Sequence, residues 1–336
     1  MQKTKGVTLI KPGKMDYRKI TIPALRDDFA LVAVHSAVIN PSDWYVLSGD
    51  FVLDKDFGAA MGCEGSGYVM ETGKGCNHLK GKRVAFHASS PGELGAFAEN
   101  TVVHKSHMVI LPEEIEYLHG SYFFINPWSV ETIIRTAKKN NWKSLVHTAA
   151  ASALGRMLVH ACKENDINLV NIVRRQEQVE ILKGIGATII LNSQEPDFVD
   201  KMEEVFDEYQ PEAFYDAVTG PVGTKVFKAM PTHTTICMYG RLDHRGYDLD
   251  DDDLEEEEFE GKELRSFSVF DFTQAYPEYQ TTFYDNICKG LIDGKYKSQV
   301  QAEFEFKDFD EAFALSKNKP TKGKVFFVNK KFAYNK

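Results

Sequence analysis

The chain has 336 residues, 43% of them hydrophobic, and a formal net charge of −9. That is enough chain for one or two domains with substantial cores. It carries no apolar run long enough to span a bilayer and no basic stripe with interleaved aromatics, so neither a membrane-embedded role nor a nucleic-acid partner is expected.

The charge is unevenly spread. Ten Asp or Glu and no Lys or Arg fall between Asp248 and Glu260, and setting them aside takes the formal charge from −9 to about +1. Carboxylates at that density repel one another and read as a solvated surface loop, or as a docking segment for a basic protein partner. The five cysteines (Cys63, Cys76, Cys162, Cys237 and Cys288) are odd in number and scattered. They suit a reducing compartment rather than a disulfide framework. Met1 to Pro12 shows neither a secretory h-region nor an Arg/Ser-rich presequence. The cytoplasm is therefore the default location, with mitochondria as the alternative.

Strand signals with Gly/Pro punctuation fill the first third. Phe29 to Val38 is an apolar run broken by Asn40-Pro41-Ser42-Asp43. Gly62 to Gly67 reads as a turn cluster, Tyr68-Val69-Met70 as a strand, and Gly81 to Phe86 as a turn followed by another strand. A small barrel-like β domain fits this pattern. The rhythm changes after Glu116. Ser129 to Lys139 has helical spacing, and strands Leu145-Val146, Leu169–Val173, Thr188–Leu191, Ala213–Val218 and Thr235–Tyr239 then alternate with helical stretches. Such alternation implies a parallel sheet covered on both faces. Beyond the acidic run, Phe267 to Phe272 is strand-like, Thr281 to Gly290 helical, and Gly323 to Val328 a last strand. The expected fold class is α/β, a Rossmann doubly wound parallel sheet plus a β-rich domain.

The segment Leu145 to Ala187 carries most of the functional information. An apolar strand ends in the small-residue turn Ala150-Ala151-Ser152-Ala153-Leu154-Gly155, which opens a helix. Against the dinucleotide pattern G-x-G-x-x-G, only Gly155 is kept, with Ala150 and Ser152 at the first two positions. Small residues still admit a phosphate, and the helix N-terminus offers unpaired N–H groups and partial positive charge. The second strand ends in Arg174 and Arg175, where a cofactor with a free ribose 2′-hydroxyl would meet an acidic residue. Arginine there suits a 2′-phosphate, so NADP(H) is favoured over NAD(H). Cys76-x-His78 has no second pair at zinc-site spacing, so no metal is expected. His147, on the strand before the turn, reads as a core residue.

Further motifs stand in a fixed order: V-I-N-P-S-D-W-Y-V-L-S-G-D-F (38–51), G-C-E-G-S-G (62–67), G-K-R-V-A-F (81–86), I-N-P-W-S-V (125–130), the phosphate turn, D-A-V-T-G (216–220), Y-G-R-L (239–242) and G-K-V-F-F (323–327). The set resembles the medium-chain dehydrogenase/reductase superfamily, in its zinc-free quinone oxidoreductase and enoyl reductase branches. The resemblance implies a GroES-like catalytic domain over 1–125 that resumes over 266–336, a Rossmann NADP(H)-binding domain over 126–265, and a cofactor in the interdomain cleft. It implies that Asn40 and Ser129 lie near the nicotinamide, that Tyr45 lines the pocket as the candidate catalytic residue, and that Tyr239 and Gly240 face the cofactor. Cys63 stands where zinc-dependent members have a ligand histidine. The implied substrate is a small-molecule conjugated carbonyl: a quinone, an enone or a 2-enoyl thioester. Phe51 stands where several relatives carry a proton-donating tyrosine. With the acidic run, it opens an alternative: a catalytically idle family member serving as a structural or accessory subunit of a larger, mitochondrial respiratory complex; the chain is expected as a homodimer or as a subunit of such a complex.

Overall fold

A computed structural model describes residues 2–50, 59–88, 92–249, 261–318 and 321–334. Phe51 and residues 250–260 of the acidic run lie outside the described residues. The chain divides into two compact units, Met1–Trp128 with Thr281–Lys336, and Ser129–Gln280.

The first unit starts with an antiparallel hairpin of β1 (Lys3–Lys11) and β2 (Lys14–Thr21). Strand β3 (Phe29–Val38) follows, then helix α1 (Pro41–Ser48), β4 (Glu64–Thr72), β5 (Arg83–His87), β6 (Asn100–His104), β7 (Met108–Ile110) and the single turn α2 (Tyr117–Gly120). Segment 40–43 therefore does end β3, and it does so by starting a helix: Pro41 takes a first-turn position and Asp43 accepts the Asn40 N–H at 2.8 Å. Gly62 to Gly67 departs from the turn reading. Gly65, Ser66 and Gly67 are paired to β3 on one side and β5 on the other, so the glycines sit inside a sheet.

Helix α3 (Asn126–Asn140) leads into an alternating stretch: β8 (Ser144–His147), α4 (Ala153–Glu164), β9 (Asn168–Val173), α5 (Gln176–Gly184), β10 (Ile189–Asn192), α6 (Phe198–Tyr209), β11 (Ala213–Asp216), α7 (Gly220–Ala229) and β12 (Thr235–Met238), after which comes the strand β13 (Glu263–Ser266). The six strands form one parallel sheet in the order β10-β9-β8-β11-β12-β13. This is the doubly wound arrangement, which reverses direction between β8 and β11. Val146, Val170, Ile172, Phe214 and Ile236 from its centre pack with Phe198, Met202 and Phe206 of α6 and Phe227 of α7. Phe267 to Phe272 is not a strand. Ser268 caps a helix, α8 (Val269–Ala275), by accepting the Asp271 N–H, and the edge strand lies just before it.

Helix α9 (Gln280–Ile292), β14 (Val300–Phe304), α10 (Phe309–Asn318) and β15 (Lys324–Val328) complete the chain. Strand β15 pairs antiparallel with β3 and returns the C-terminal segment to the first unit's seven-stranded sheet. Its core is aromatic, with Phe97 against Phe327 at 4.9 Å and Phe313 packed on both.

One polar cluster lies inside this apolar unit. Lys324 is 7% exposed, and Asn40, Asp43 and Glu64 are still more deeply buried. The Lys324 Nζ donates to Asn40 Oδ1 at 2.6 Å, and Asn40 Nδ2 donates to Glu64 Oε1 at 2.8 Å. Glu64 Oε2 accepts from the backbone N–H groups of Phe124 and Ile125 at 3.0 and 2.9 Å. The cluster thus ties β15, the start of α1, β4 and the segment before α3. Burial pushes Glu64 up to about 7 and Asp43 up to about 6, and pulls Lys324 down to about 8.

Two stability measurements test this cluster. Replacing a buried cation strands its partners, so Lys324→Met is expected to cost about 3–5 kcal/mol in denaturant unfolding. The exposed Lys330, which pairs with Glu305 at 3.4 Å, should cost less than about 0.5 kcal/mol on the same change. Glu64 holds its proton to about pH 7 when folded but releases it near 4.5 when unfolded. The folded chain then binds the extra proton across that window, and its stability falls as pH rises through it. Glu64→Gln removes this loss, so its unfolding midpoint should gain on the wild type between about pH 4.5 and pH 7; a pH-independent difference would contradict the assignment.

Candidate dinucleotide and catalytic site

In the second unit the turn after β8 lies where the sheet reverses, and a crevice at the carboxyl ends of such strands is where ligands bind in this architecture. Ala150 and Ala151 are buried beneath the turn, and Ser152 caps α4 by accepting the Gly155 N–H at 3.1 Å. Gly155 is required by space. A Cβ there would stand 2.2 Å from the Ala150 carbonyl oxygen. The first turn of α4 thus presses against the strand end, and its small residues leave the helix N-terminus accessible to an anion.

Arg174 and Arg175 follow β9 directly and are both exposed. The Arg174 backbone N–H is held by Gln178 Oε1 at 3.1 Å, and Arg175 occupies the N-cap position of α5. Both stand beyond the strand end, on the same edge of the sheet as the turn. Tyr239 and Gly240 leave β12 on that edge, with their N–H groups directed to the Asp216 carbonyl at 2.8 and 3.3 Å. The Tyr239 hydroxyl is buried without a hydrogen-bond partner, and burial pushes its ionisation upward, so it stays a neutral hydroxyl. A buried orphan hydroxyl at a strand end is a group that a polar ligand would satisfy.

His147 is fully buried, its Nε2 paired with Asn171 Oδ1 at 2.7 Å, and burial pulls its pKa down to about 4. It is a neutral core residue at neutral pH.

In the first unit, Tyr45 lies half-buried on α1, whose C-terminus is closed by Gly49 in a left-handed conformation. Asn40 lies at the other end of the same helix. Its amide is engaged on both sides by Lys324 and Glu64 and is 1% exposed, so it is held in one orientation. Ser129 lies on α3 and is 6% exposed. Cys63 is buried and accepts a weak hydrogen bond from Ser42 at 3.7 Å. Among the described residues, no three His, Cys, Asp or Glu side chains are arranged to hold a metal ion, and no helix is long and apolar enough to cross a membrane.

Sequence reading passed over Glu64, Asp43 and Lys324, although each lies in a motif it quoted. A lone charge flanked by apolar residues, as in G-K-V-F-F, was the available signal. It also passed over Thr148 and Asp216, which meet across the sheet reversal.

Comparison with known proteins agrees with this architecture. Residues 26–113 match the alcohol dehydrogenase GroES-like domain. A solved structure from Mesorhizobium loti, provisionally named an NADPH:quinone reductase, superposes with a TM-score of 0.89 at 28% identity, covering 98% of this chain and 99% of that one. Among curated proteins, the bovine mitochondrial enoyl-[acyl-carrier-protein] reductase is 22% identical over 69% of this chain and 63% of its own length. Quinone oxidoreductase 1 of Escherichia coli is 26% identical over 54% of each chain. The chain therefore spans less than two thirds of the length of these curated relatives. The ordered motifs, the doubly wound sheet and these matches agree: the chain carries the alcohol dehydrogenase GroES-like domain and is similar to the quinone oxidoreductases and enoyl reductases of the medium-chain dehydrogenase/reductase superfamily.

Proposed function

We propose that this protein is an NADPH-dependent oxidoreductase that acts without zinc on a small conjugated carbonyl compound, a quinone, an enone or a 2-enoyl thioester. The observation that carries the reading is the turn Ala150–Gly155 at the sheet reversal, with Arg174 and Arg175 exposed beyond the neighbouring strand. A structure of Escherichia coli quinone oxidoreductase in complex with NADPH shares the fold, with a TM-score of 0.83 at 20% identity.

The residues present fit the cofactor. The close approach of Gly155 to Ala150 and the capped start of α4 make a cradle for a pyrophosphate. The two guanidinium groups offer forked donors to a 2′-phosphate. The buried Tyr239 hydroxyl has a donor and an acceptor to give. When bound, the nicotinamide supplies the hydride, and the chain supplies binding, orientation and exclusion of water. Within the first unit, the Lys324–Asn40–Glu64 cluster fixes the start of α1 and with it the helix that carries Tyr45. Tyr45 is the phenol assigned to deliver the proton that completes reduction of the carbonyl-activated bond. Phe51 has no hydroxyl for that task. Cys63 accepts a weak hydrogen bond from Ser42, as suits a buried thiol.

Two measurements test this reading. Reversing both arginines, Arg174→Glu with Arg175→Glu, is expected to weaken NADPH about tenfold or more while leaving NADH nearly unchanged. Equal losses for both nucleotides would remove the 2′-phosphate assignment. Tyr45→Phe is expected to slow NADPH-dependent reduction of a model quinone or enone about 100-fold with unaltered NADPH affinity. A full-rate variant would return the proton-donor role to another group.

A further inference from the structure

Asp216 ends β11 and is fully buried. Four donors surround its carboxylate. Thr148 Oγ1 and the Val218 N–H donate to Oδ1 at 2.5 and 2.8 Å; the Thr219 N–H and the Tyr247 hydroxyl donate to Oδ2 at 3.0 and 2.8 Å. Thr148 in turn accepts the Ala217 N–H at 2.9 Å. These bonds join the residue that enters the phosphate turn to the residues that follow β11, across the point where the sheet reverses.

The backbone on both sides of this carboxylate is strained. Ala149, next after Thr148, has φ +51°, and Thr219 has φ +61° with ψ −150°, a region that is essentially reserved for glycine. Non-glycine residues stay in such conformations only where their surroundings hold them there. The hydrogen bonds to Asp216 do this for Thr219 directly and for Ala149 through its neighbour.

Tyr247 is the donor that comes from outside the reversal. Its ring packs on Phe227 of α7 at 5.5 Å, and the next residue, Asp248, donates its N–H to Thr224 Oγ1 at 2.9 Å. Gly223 makes room for the approach, since a Cβ there would lie 2.5 Å from Asp216 Oδ2 and 3.0 Å from the Tyr247 ring. Burial and the neighbouring Asp216 push the Tyr247 ionisation far upward, so the phenol remains a donor.

We infer that Tyr247 is a positioning residue for the nucleotide site: by completing the donor shell of Asp216 it holds Thr148 and Thr219, and through them keeps the strained crevice shaped for a dinucleotide. The inference rests on the nucleotide reading above. Without the phenol, Oδ2 of the buried carboxylate keeps only the Thr219 N–H among the donors described, and the carboxylate is free to turn away from Thr148. The turn then relaxes, and binding must restore its shape.

The test is calorimetric titration of the full chain with NADPH, well below the melting temperature, in four variants. Tyr247→Phe removes only the hydroxyl and is expected to raise the NADPH Kd about fivefold to tenfold. Thr148→Val should do the same, Thr148→Ser should bind like the wild type, and Tyr247→Phe with Thr148→Val together should lose no more than either alone. Should the Phe variant not fold, the Val and Ser variants at Thr148 read the same link from its other end. A lowered melting temperature with an unchanged Kd would reduce Tyr247 to a structural contact and overturn the inference alone. A wild type that fails to bind NADPH would overturn the nucleotide reading, and this inference with it.

Discussion

The sheet of the second unit reverses its winding between the paired strands β8 and β11, and a buried carboxylate, Asp216, links the segments that leave those two strands. Asp216 cannot be left without donors at that depth, because an uncompensated buried carboxylate costs several kcal/mol. It therefore gathers backbone and side-chain donors from both sides of the reversal. The backbone conformation at the reversal follows from that requirement. The turn after β8, the left-handed Ala149 and the strained Thr219 are all held by the group that needs them as neighbours.

The first unit solves a similar problem with the opposite sign. Lys324 is an ammonium buried in an aromatic core, and an amide and a carboxylate compensate it in series. Asn40 relays between the two charges, its carbonyl oxygen toward the cation and its amino group toward the anion. With two carboxylates and one ammonium sharing a buried space, full ionisation leaves an excess negative charge. Burial raises both Glu64 and Asp43, and the Lys324 charge and the hydrogen bonds from their neighbours offset part of that rise. The rigidity this gives the start of α1 is what makes a side chain on that helix a credible chemical group.

Much of this was legible in the sequence, for identifiable reasons. The alternation of short apolar runs and amphipathic helices from Ser144 to Met238 fixes a parallel sheet, because strands buried on both faces lose their polar alternation. Arg174 and Arg175 stand out because charged residues end an apolar run. Gly62 to Gly67 misled because glycine marks both turns and close sheet packing, and the sequence does not distinguish a backbone paired on both sides. Phe267 to Phe272 misled because aromatic residues suggest a strand, whereas the Ser268 cap starts a helix. The polar clusters were hidden because their members are far apart in sequence: Lys324 meets Asn40 across 284 positions, and Tyr247 meets Asp216 across 31. Neither pairing has a local signature.

Under the proposed function, the strand ends at the sheet reversal receive a dinucleotide carrying a 2′-phosphate. Calorimetric titration of the wild-type chain with NADPH and NADH, side by side, tests it most directly. The expected result is saturable binding of one equivalent of NADPH, at least about tenfold tighter than NADH, as a charge-assisted arginine–phosphate contact would give. Binding of neither nucleotide would contradict the claim, and tighter binding of NADH would contradict its 2′-phosphate part.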